Sequence, residues 1–237
     1  MANIKAIVRQ VTPEVTGEGD LANVRMSKLG GLYVADWKYQ LAAAGMVYSA
    51  ISNSSSGALT AGADVVMVVG GGNGTTVDSD QPELIIGVDA GYYMIPISIN
   101  GGLDFDCDAD QEYAEAVAFI DRTSAPPTTN ASGTLVTPTN NLDGGSGFPG
   151  RCWSASSGDI TDPVMAELVF FKHFQTSDNG TAASALPESL PVEWEAKTPK
   201  IVAGPCSLVI CWGGTAAVNG LVTVEVAVVP ASYFPVA

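Results

Sequence analysis

The chain has 237 residues, of which 46% are hydrophobic and only 15% are charged, with 26 glycines and 14 prolines. Because charged residues usually make up about 25% of a soluble domain, this composition is typical of a turn-rich β protein and disfavours a helical cytosolic enzyme. The net charge of −15 repels phosphate backbones and anionic lipid, so we expect neither nucleic acid nor a membrane as partner.

The start of the chain does not resemble a secretory signal, because residues 1–15 contain no continuous apolar core and no cleavage motif. The longest apolar runs, such as Val65–Val69 and Val226–Val229, have the length of a strand and are far shorter than a membrane span. We therefore expect a soluble protein that is made in a cytoplasm.

The first segment, residues 1–28, shows weak alternation and then a turn cluster at Gly17–Asp20. We interpret it as an extended N-terminal arm or an edge strand, of the kind that can pair with a neighbouring subunit. Residues 29–237 are predicted to form a single β domain.

The segment Ala35–Ala44 fits two kinds of element. As a helix it would have Asp36 as its N-cap and would stop at Gly45. As a strand it would alternate, with Trp37 and Tyr39 on one face. We favour the strand, because a lone helix of this length needs a packing partner.

A buried-type strand is predicted at residues 63–69, and it ends in the glycine run Gly70–Gly74. A phosphate-binding loop would need a following lysine and the N-terminus of a helix, and Thr75–Gln81 offers neither. We interpret the glycine run as a surface loop.

Further strands are predicted at residues 83–89, 91–99 and 113–121, although the last also fits a short helix that starts after Asp110. Proline lacks the backbone donor that a sheet ladder uses, so Pro96 predicts a sheet edge or a β-bulge.

The stretch 123–150 is rich in Thr, Pro, Asn and Gly, which predicts a long loop between sheets. Leu135–Val136 and Phe148 are its candidate anchors to the surface. The following segment Leu168–Phe174 reads as a strand, and residues 182–191 read as another loop.

The clearest strand signal lies in Gly204–Pro230. Two β-type runs, Cys206–Trp212 and Leu221–Val229, are joined by small residues, and this pattern predicts a hairpin. The second run is apolar on both faces apart mainly from Thr223 and Glu225. We therefore expect the hairpin to be central and covered on both sides, by the other sheet and by a long loop or a neighbouring subunit.

The chain thus contains roughly eight to ten strands of ordinary length, no repeat and no sustained helical period. The predicted fold class is all-β, a jelly-roll-type β-sandwich with an extended N-terminal arm and long loops.

One segment has metal-like spacing, Asp104–Glu115, whose acids take positions 1, 3, 5, 7, 9 and 12 of an EF-hand register suited to calcium. However, Ala109 replaces the glycine of position 6, and the flanking segments look like strands. A solvated acidic loop is the simpler interpretation. Calcium binding at Asp104–Asp110 stays open, and we assign no metal and no cofactor.

The single histidine, His173, shares a predicted strand face with Phe171 and Val169. A serine hydrolase would need this histidine, but the nucleophile motif GxSxG is missing. We interpret His173 as structural and predict no catalytic residues and no enzyme activity.

Four tryptophans are candidates for a sugar-binding platform, although scattered tryptophans more often pack in cores or interfaces; they are Trp37, Trp153, Trp194 and Trp212. Four glycosylation sequons are interpreted as by-products of polar turns; they start at Asn53, Asn73, Asn130 and Asn179.

The four cysteines, Cys107, Cys152, Cys206 and Cys211, match no zinc pattern. Cys206 and Cys211 lie five residues apart on one predicted strand, so their side chains point to opposite faces and cannot easily bond to each other. We expect reduced, buried cysteines.

Four segments resemble jelly-roll structural proteins of tailed bacteriophages: Val24–Trp37, Gly45–Ala50, Ser207–Ile210 and Gly220–Val229. The resemblance implies a decoration (cement) protein on the capsid exterior of the virion, made in the host cytoplasm. It also implies a homotrimer that binds the major capsid protein and has no enzyme activity.

Two other functions remain open at this point, because a fold does not fix a function. One is a carbohydrate- or receptor-binding jelly-roll module of a virion fibre or lectin type. The other is a hydrolase on a β scaffold, for which His173→Ala would abolish activity.

Overall fold

The computed structural model describes residues 36–52, 68–69, 72–73, 77–79, 81–107, 113–122, 133–154, 167–175, 186–214 and 218–233. These ranges contain fourteen strands, one helix α1 (Trp37–Ala43) and a short 3-10 turn (Ala231–Tyr233). The strands are β1 (Val47–Ile51), β2 (Val68–Val69), β3 (Gly72–Asn73), β4 (Leu84–Val88), β5 (Tyr92–Cys107), β6 (Tyr113–Asp121), β7 (Thr134–Val136), β8 (Thr139–Asn140), β9 (Gly150–Ser154), β10 (Glu167–Gln175), β11 (Leu186–Glu195), β12 (Val202–Ala203), β13 (Cys206–Gly214) and β14 (Val218–Pro230). The predicted arm at residues 1–28 lies outside the described residues.

The strands form two sheets that pack face to face, which confirms the predicted all-β sandwich. Sheet I has the order β11-β5-β14-β1-β8, with β12 beside β5 and β2 beside β14. Sheet II has the order β10-β6-β13-β4-β9-β7, with β3 beside β13. Each described pairing is antiparallel except β13 with β3. The strands predicted near β4, β5, β6 and β10 are all present, and β6 is a strand rather than a helix.

The C-terminal pair β13 and β14 is not a hairpin, and that prediction was wrong. β13 pairs with β4 and β6 in sheet II, whereas β14 pairs with β5 and β1 in sheet I. The two strands stack through their side chains, so that Leu208 and Ile210 lie in the same buried cluster as Val222 and Val224. The predicted central position is confirmed, because each strand has a neighbour on both sides. The predicted cover on the outer side holds for β13, all of whose residues are buried, but not for β14, whose outer face is covered at one end only, by α1.

The core lies between the inner faces of the two sheets and follows the period-2 alternation of the strands. In β14 the inner residues are the four valines of the alternating run, and in β13 they include Trp212, which is fully buried. Burying each such valine side chain contributes about 1.5–3 kcal/mol relative to exposure. The core therefore needs no cross-link.

The segment predicted as a strand at residues 35–44 is the helix α1, so the favoured assignment was wrong. Asp36 is the N-cap and accepts a hydrogen bond from the Lys38 N–H at 3.2 Å. Gly45 follows the helix with φ 69°, a conformation that suits glycine. The missing packing partner is the outer face of sheet I, where Trp37 and Leu41 pack against a buried cluster.

Pro96 lies at a β-bulge, as its missing donor predicted. The register of β5 with β14 shifts there, because Ser98 pairs with Glu225 while Pro96 pairs with Val226, which is the next residue. Ile97 is the extra residue of the bulge.

Two predicted loops contain strands. Residues 133–150 include β7, β8 and the first residue of β9, and Val136 and Phe148 reach the core as anchors while Leu135 stays exposed. Residues 186–191 belong to β11, which pairs only with β5 among the described strands. As an edge strand, β11 tolerates Pro187 and Pro191, because an edge strand leaves half of its donors unused.

Candidate functional site

The outer face of sheet I is polar beyond the end that α1 covers. The register places Glu195, Ser98, Glu225 and Ser49 side by side on four neighbouring strands. The next row along the strands contains Asn100 beside Thr223. Since residues paired across strands point to the same side of a sheet, these side chains form one continuous polar surface.

A cleft of about 530 Å³ lies where α1 meets this polar surface. It is lined by Asp36, Lys38, Tyr39, Ala42, Val47, Ile97, Ser98, Asn100, Asn141, Glu195 and Glu225. The helix supplies one wall, and adjacent strands of sheet I supply the floor. We call it the α1 cleft. Its size falls within the roughly 300–1,000 Å³ that small-molecule sites occupy.

Glu225 is the best-positioned acceptor of the α1 cleft. Its Oε2 accepts from Ser98 Oγ at 3.0 Å, and its Oε1 accepts from Asn141 Nδ2 at 3.1 Å. Asn141 is fixed in turn, because its Oδ1 accepts from Ser49 Oγ at 2.7 Å. A carboxylate that is half-buried on a central strand and held at both oxygens has a defined orientation.

The other charged groups of the α1 cleft are paired on the helix side. The Lys38 ammonium forms an ion pair with Glu195, and it lies 5.7 Å from the centre of the Trp37 ring. The lining has three carboxylates and one ammonium, so it is net negative. Tyr39 lies in the lining with its side chain 62% exposed. The chain offers this aromatic ring to solvent rather than to the core.

The outer face of sheet II carries an apolar row instead. One cross-strand row runs over six strands through Leu168, Phe119, Val209, Ile85, Trp153 and Leu135. Phe119, Val209 and Ile85 in the middle of this apolar row are buried, and Val77 packs against this part of the sheet. The two ends are open, because Leu168 is 50% exposed and Leu135 is 51% exposed.

The acidic segment predicted as a possible calcium loop is mostly strand where it is described. Residues 104–107 belong to β5, and Glu115 belongs to β6. An EF-hand loop does not form here, because its first four positions are extended. Residues 108–112 lie outside the described residues, and no group of metal ligands occurs within the described ones. Calcium binding of another kind stays a prediction.

His173 lies on β10 with its Nδ1 2.8 Å from Oε1 of Glu115, the residue paired with it on β6. Its ring stacks on Tyr113 at a centroid distance of 5.6 Å. His173 is exposed on this strand, and its structural interpretation stays a prediction. Val169 does not share its face, because a β-bulge between Leu168 and Phe170 turns Val169 toward the core.

The tryptophans do not form a common platform, which contradicts that candidate site. Trp212 is in the core, Trp194 packs against the core, Trp153 lies on the outer face of sheet II and Trp37 lies on α1.

The glycosylation sequon at Asn73 lies in a strand and not in a turn, because Asn73 belongs to β3, which pairs with the end of β13. The other sequons lie outside the described residues. The glycine run therefore contributes a short strand, in part of what was predicted as a loop.

The cysteines agree with the prediction wherever their side chains are described. Cys152, Cys206 and Cys211 are buried, and none of these three forms a disulfide. Cys206 and Cys211 belong to different buried clusters on opposite faces of β13. Burial raises the pKa of the Cys206 thiol to about 11 and raises the pKa of Cys152 further. These thiols stay protonated and unreactive at neutral pH.

No known protein-family model matches the chain, and no curated protein is significantly similar to it. Among the described residues, no helix has the length and apolar character that crossing a membrane requires. Sequence reasoning missed the α1 cleft, although Glu225 gave a signal as an acid within an otherwise apolar strand.

Proposed function

We propose that the protein is a virion structural protein of the capsid-decoration type. It has a jelly-roll fold, assembles into a homotrimer and binds the major capsid protein on the capsid exterior. It acts by adding contacts to the shell and not by catalysis. The resemblance of β13 and β14 to phage structural proteins supports this class of function, and it concerns the central strands rather than the capsid-binding surface.

The strand order supports the jelly-roll part of the proposal. Eight main strands are β1, β4, β5, β6, β10, β11, β13 and β14. Numbered one to eight along the chain, they lie in the order 6-3-8-1 in sheet I and 5-4-7-2 in sheet II. Two interleaved four-stranded sheets with this connectivity are what the double Greek key of a jelly roll requires.

The observation that carries the assembly proposal is the apolar row of sheet II, which reaches the surface at both edges. At one edge, β10 exposes Leu168 and Phe171, the latter 54% exposed. At the opposite edge, β7 exposes Leu135. Large apolar side chains beside an unpaired strand edge are costly in a monomer, and such places mark contacts between subunits.

Two different patches at opposite edges favour a ring. In a two-fold dimer, a patch contacts the same patch of the second subunit. In a ring, the patch at one edge of a subunit contacts the patch at the opposite edge of its neighbour. The β10 edge of one subunit therefore meets the β7 edge of the next. Three such contacts close the proposed trimer.

The test is the oligomeric mass of single and mixed variants, measured by light scattering after size-exclusion chromatography. Phe171→Glu and Leu135→Glu should each give monomers, because each removes one half of every contact. An equimolar mixture of the two should give heterodimers, since one intact pair of patches remains. Leu142→Glu, a control at another exposed leucine, should leave the trimer intact.

A wild-type monomer would overturn the assembly proposal, and so would a Leu135→Glu variant that still forms the wild-type oligomer. Capsid binding is measured separately, by adding purified protein to capsids that lack it and locating it by electron microscopy. We expect ordered density at three-fold positions on the capsid exterior. An oligomer that leaves such capsids bare would exclude the decoration function while keeping the trimer.

A further inference from the structure

We infer that the α1 cleft binds a neutral saccharide. This inference uses the outer face of sheet I and does not depend on the assembly proposed for sheet II. The cleft has the volume of a small-molecule site, and adjacent strands of one sheet form its floor. The ligand class follows from the polar groups, the charges and the aromatic side chain that line it.

The polar groups of the floor are mixed donors and acceptors at fixed positions. Glu225 accepts one hydrogen bond at each oxygen and keeps lone pairs for further donors. Asn100, exposed on the neighbouring strand, adds an amide with both donor and acceptor atoms. A sugar hydroxyl donates one hydrogen bond and accepts others, so a row of hydroxyl groups matches such a floor.

The charges argue against the other ligand classes. An anion would face three carboxylates, and the only ammonium of the lining, on Lys38, is already paired with Glu195. A cation would find only one carboxylate that keeps lone pairs for it, Glu225, because Asp36 caps the helix and Glu195 is paired with Lys38. A single carboxylate is a poor site for a hard cation, which takes roughly six or more oxygen ligands. An apolar ligand would leave the polar floor without water or partners, which is costly.

Tyr39 supplies the remaining element of saccharide recognition. Its ring is largely exposed in the cleft lining, and an aromatic ring offers a flat apolar surface together with a polar tip. The C–H face of a pyranose ring can pack on that surface while its hydroxyl groups reach the floor. The helix that carries Tyr39 is anchored by Trp37 and Leu41, which pack against sheet I.

The test is a glycan array followed by calorimetry with methyl glycosides of glucose, galactose, mannose and N-acetylglucosamine. We expect saturable binding of at least one of these neutral sugars that changes little with salt. Asn100→Ala and Tyr39→Ala should each weaken binding by about tenfold or more, since each removes a direct contact. Thermal unfolding of both variants should match the wild type, because both side chains are exposed.

Asp104→Asn is the matched control, because Asp104 is exposed on the same face of β5 but lies outside the cleft lining. It should bind the sugar as the wild type does. The inference is overturned if none of the sugars binds, if binding survives the double variant Asn100→Ala/Tyr39→Ala, or if Asp104→Asn removes it. Binding only of an amine such as glucosamine, and only at low salt, would also overturn it, since that result assigns the cleft to a cation. Repeating the titration with Phe171→Glu separates sugar binding from assembly.

Discussion

The outer faces of the two sheets differ in how deeply their side chains are buried and in how polar they are. On sheet I, the outward residues Leu221, Thr223 and Glu225 of β14 are half-buried, and the surface is polar. On sheet II, all nine residues of β13 are buried, on both faces of the strand. Sheet I therefore has a core side and a solvent side, as antiparallel sheets commonly do, whereas the centre of sheet II is covered on both.

The two faces therefore differ in the kind of binding that they allow. A polar face can take a ligand through hydrogen bonds without destabilising the sandwich. An apolar face must be covered, which the chain itself does in the middle of sheet II, while Leu168 and Leu135 at its two ends stay exposed. The helix α1 is the exception on sheet I, since it covers Ala227 and Val229 at one end and creates the cleft at its border.

The largest effect on the free energy of unfolding is expected when a buried side chain on the outer face of sheet II is truncated. Phe119→Ala removes a fully buried side chain from the apolar row and should lower the free energy of unfolding by about 3–5 kcal/mol. Thr223→Ala, on the outer face of sheet I, should change it by about 0.5 kcal/mol or less. Urea unfolding followed by tryptophan fluorescence measures both. Similar losses for the two variants would mean that the faces are equally covered.

An intermediate effect is expected at α1, where sheet I is covered locally. Asp36→Ala removes the side-chain acceptor of the helix N-cap, which typically costs about 1 kcal/mol. Amide exchange at Gln40 and Ala44, whose N–H groups close helical turns, should accelerate by about fivefold. Asp36→Ser keeps a capping oxygen and should restore slow exchange. Unchanged exchange in Asp36→Ala would show that packing alone holds the helix.

The smallest effect concerns the rim of sheet II, where Glu167 at the start of β10 pairs with Lys200 and, at 2.8 Å, with Arg122. The hydrogen bonds from Lys200 and then from Arg122 lower the pKa of Glu167 below its ordinary value of 4.5. A lowered folded-state pKa gives stability that is present above pH 4.5 and is lost as the pH falls through the folded value.

Because this network is partly exposed, the stability that it adds should be about 1 kcal/mol or less. Glu167→Gln should therefore lower the thermal midpoint slightly at pH 7 and leave it nearly unchanged at pH 2–3. Measuring the thermal midpoints of the wild type and of Glu167→Gln from about pH 2 to pH 7 tests the prediction. A larger difference in acid than at neutral pH would contradict the sign.

The strands were predictable because alternation is local, whereas their partners were not. A hairpin and a connection between two sheets have the same local pattern, so the run from Cys206 to Val229 could not show that β13 and β14 lie in different sheets. The helix α1 had correct capping signals at Asp36 and Gly45, but the sheet face that stabilises it comes from residues far along the chain.

The α1 cleft was hidden for the same reason. Glu225 stands out in its strand, but its partners Ser98 and Asn141 come from distant segments and meet it only through the register of the sheet. Likewise, the apolar row of sheet II is assembled from six strands, each of which contributes one residue. A single sequence contains no pairing information of this kind.

The position of β14 has a consequence for synthesis on the ribosome. This strand pairs with β5 at thirteen positions and with β1 at five, and it follows every other described strand in the chain. Sheet I therefore lacks its centre until β14 has left the exit tunnel, so we expect nascent chains that stop before Val218 to remain unfolded and open to proteases. We therefore expect folding of this sandwich to be a late event in synthesis, which begins only when the last strand is available.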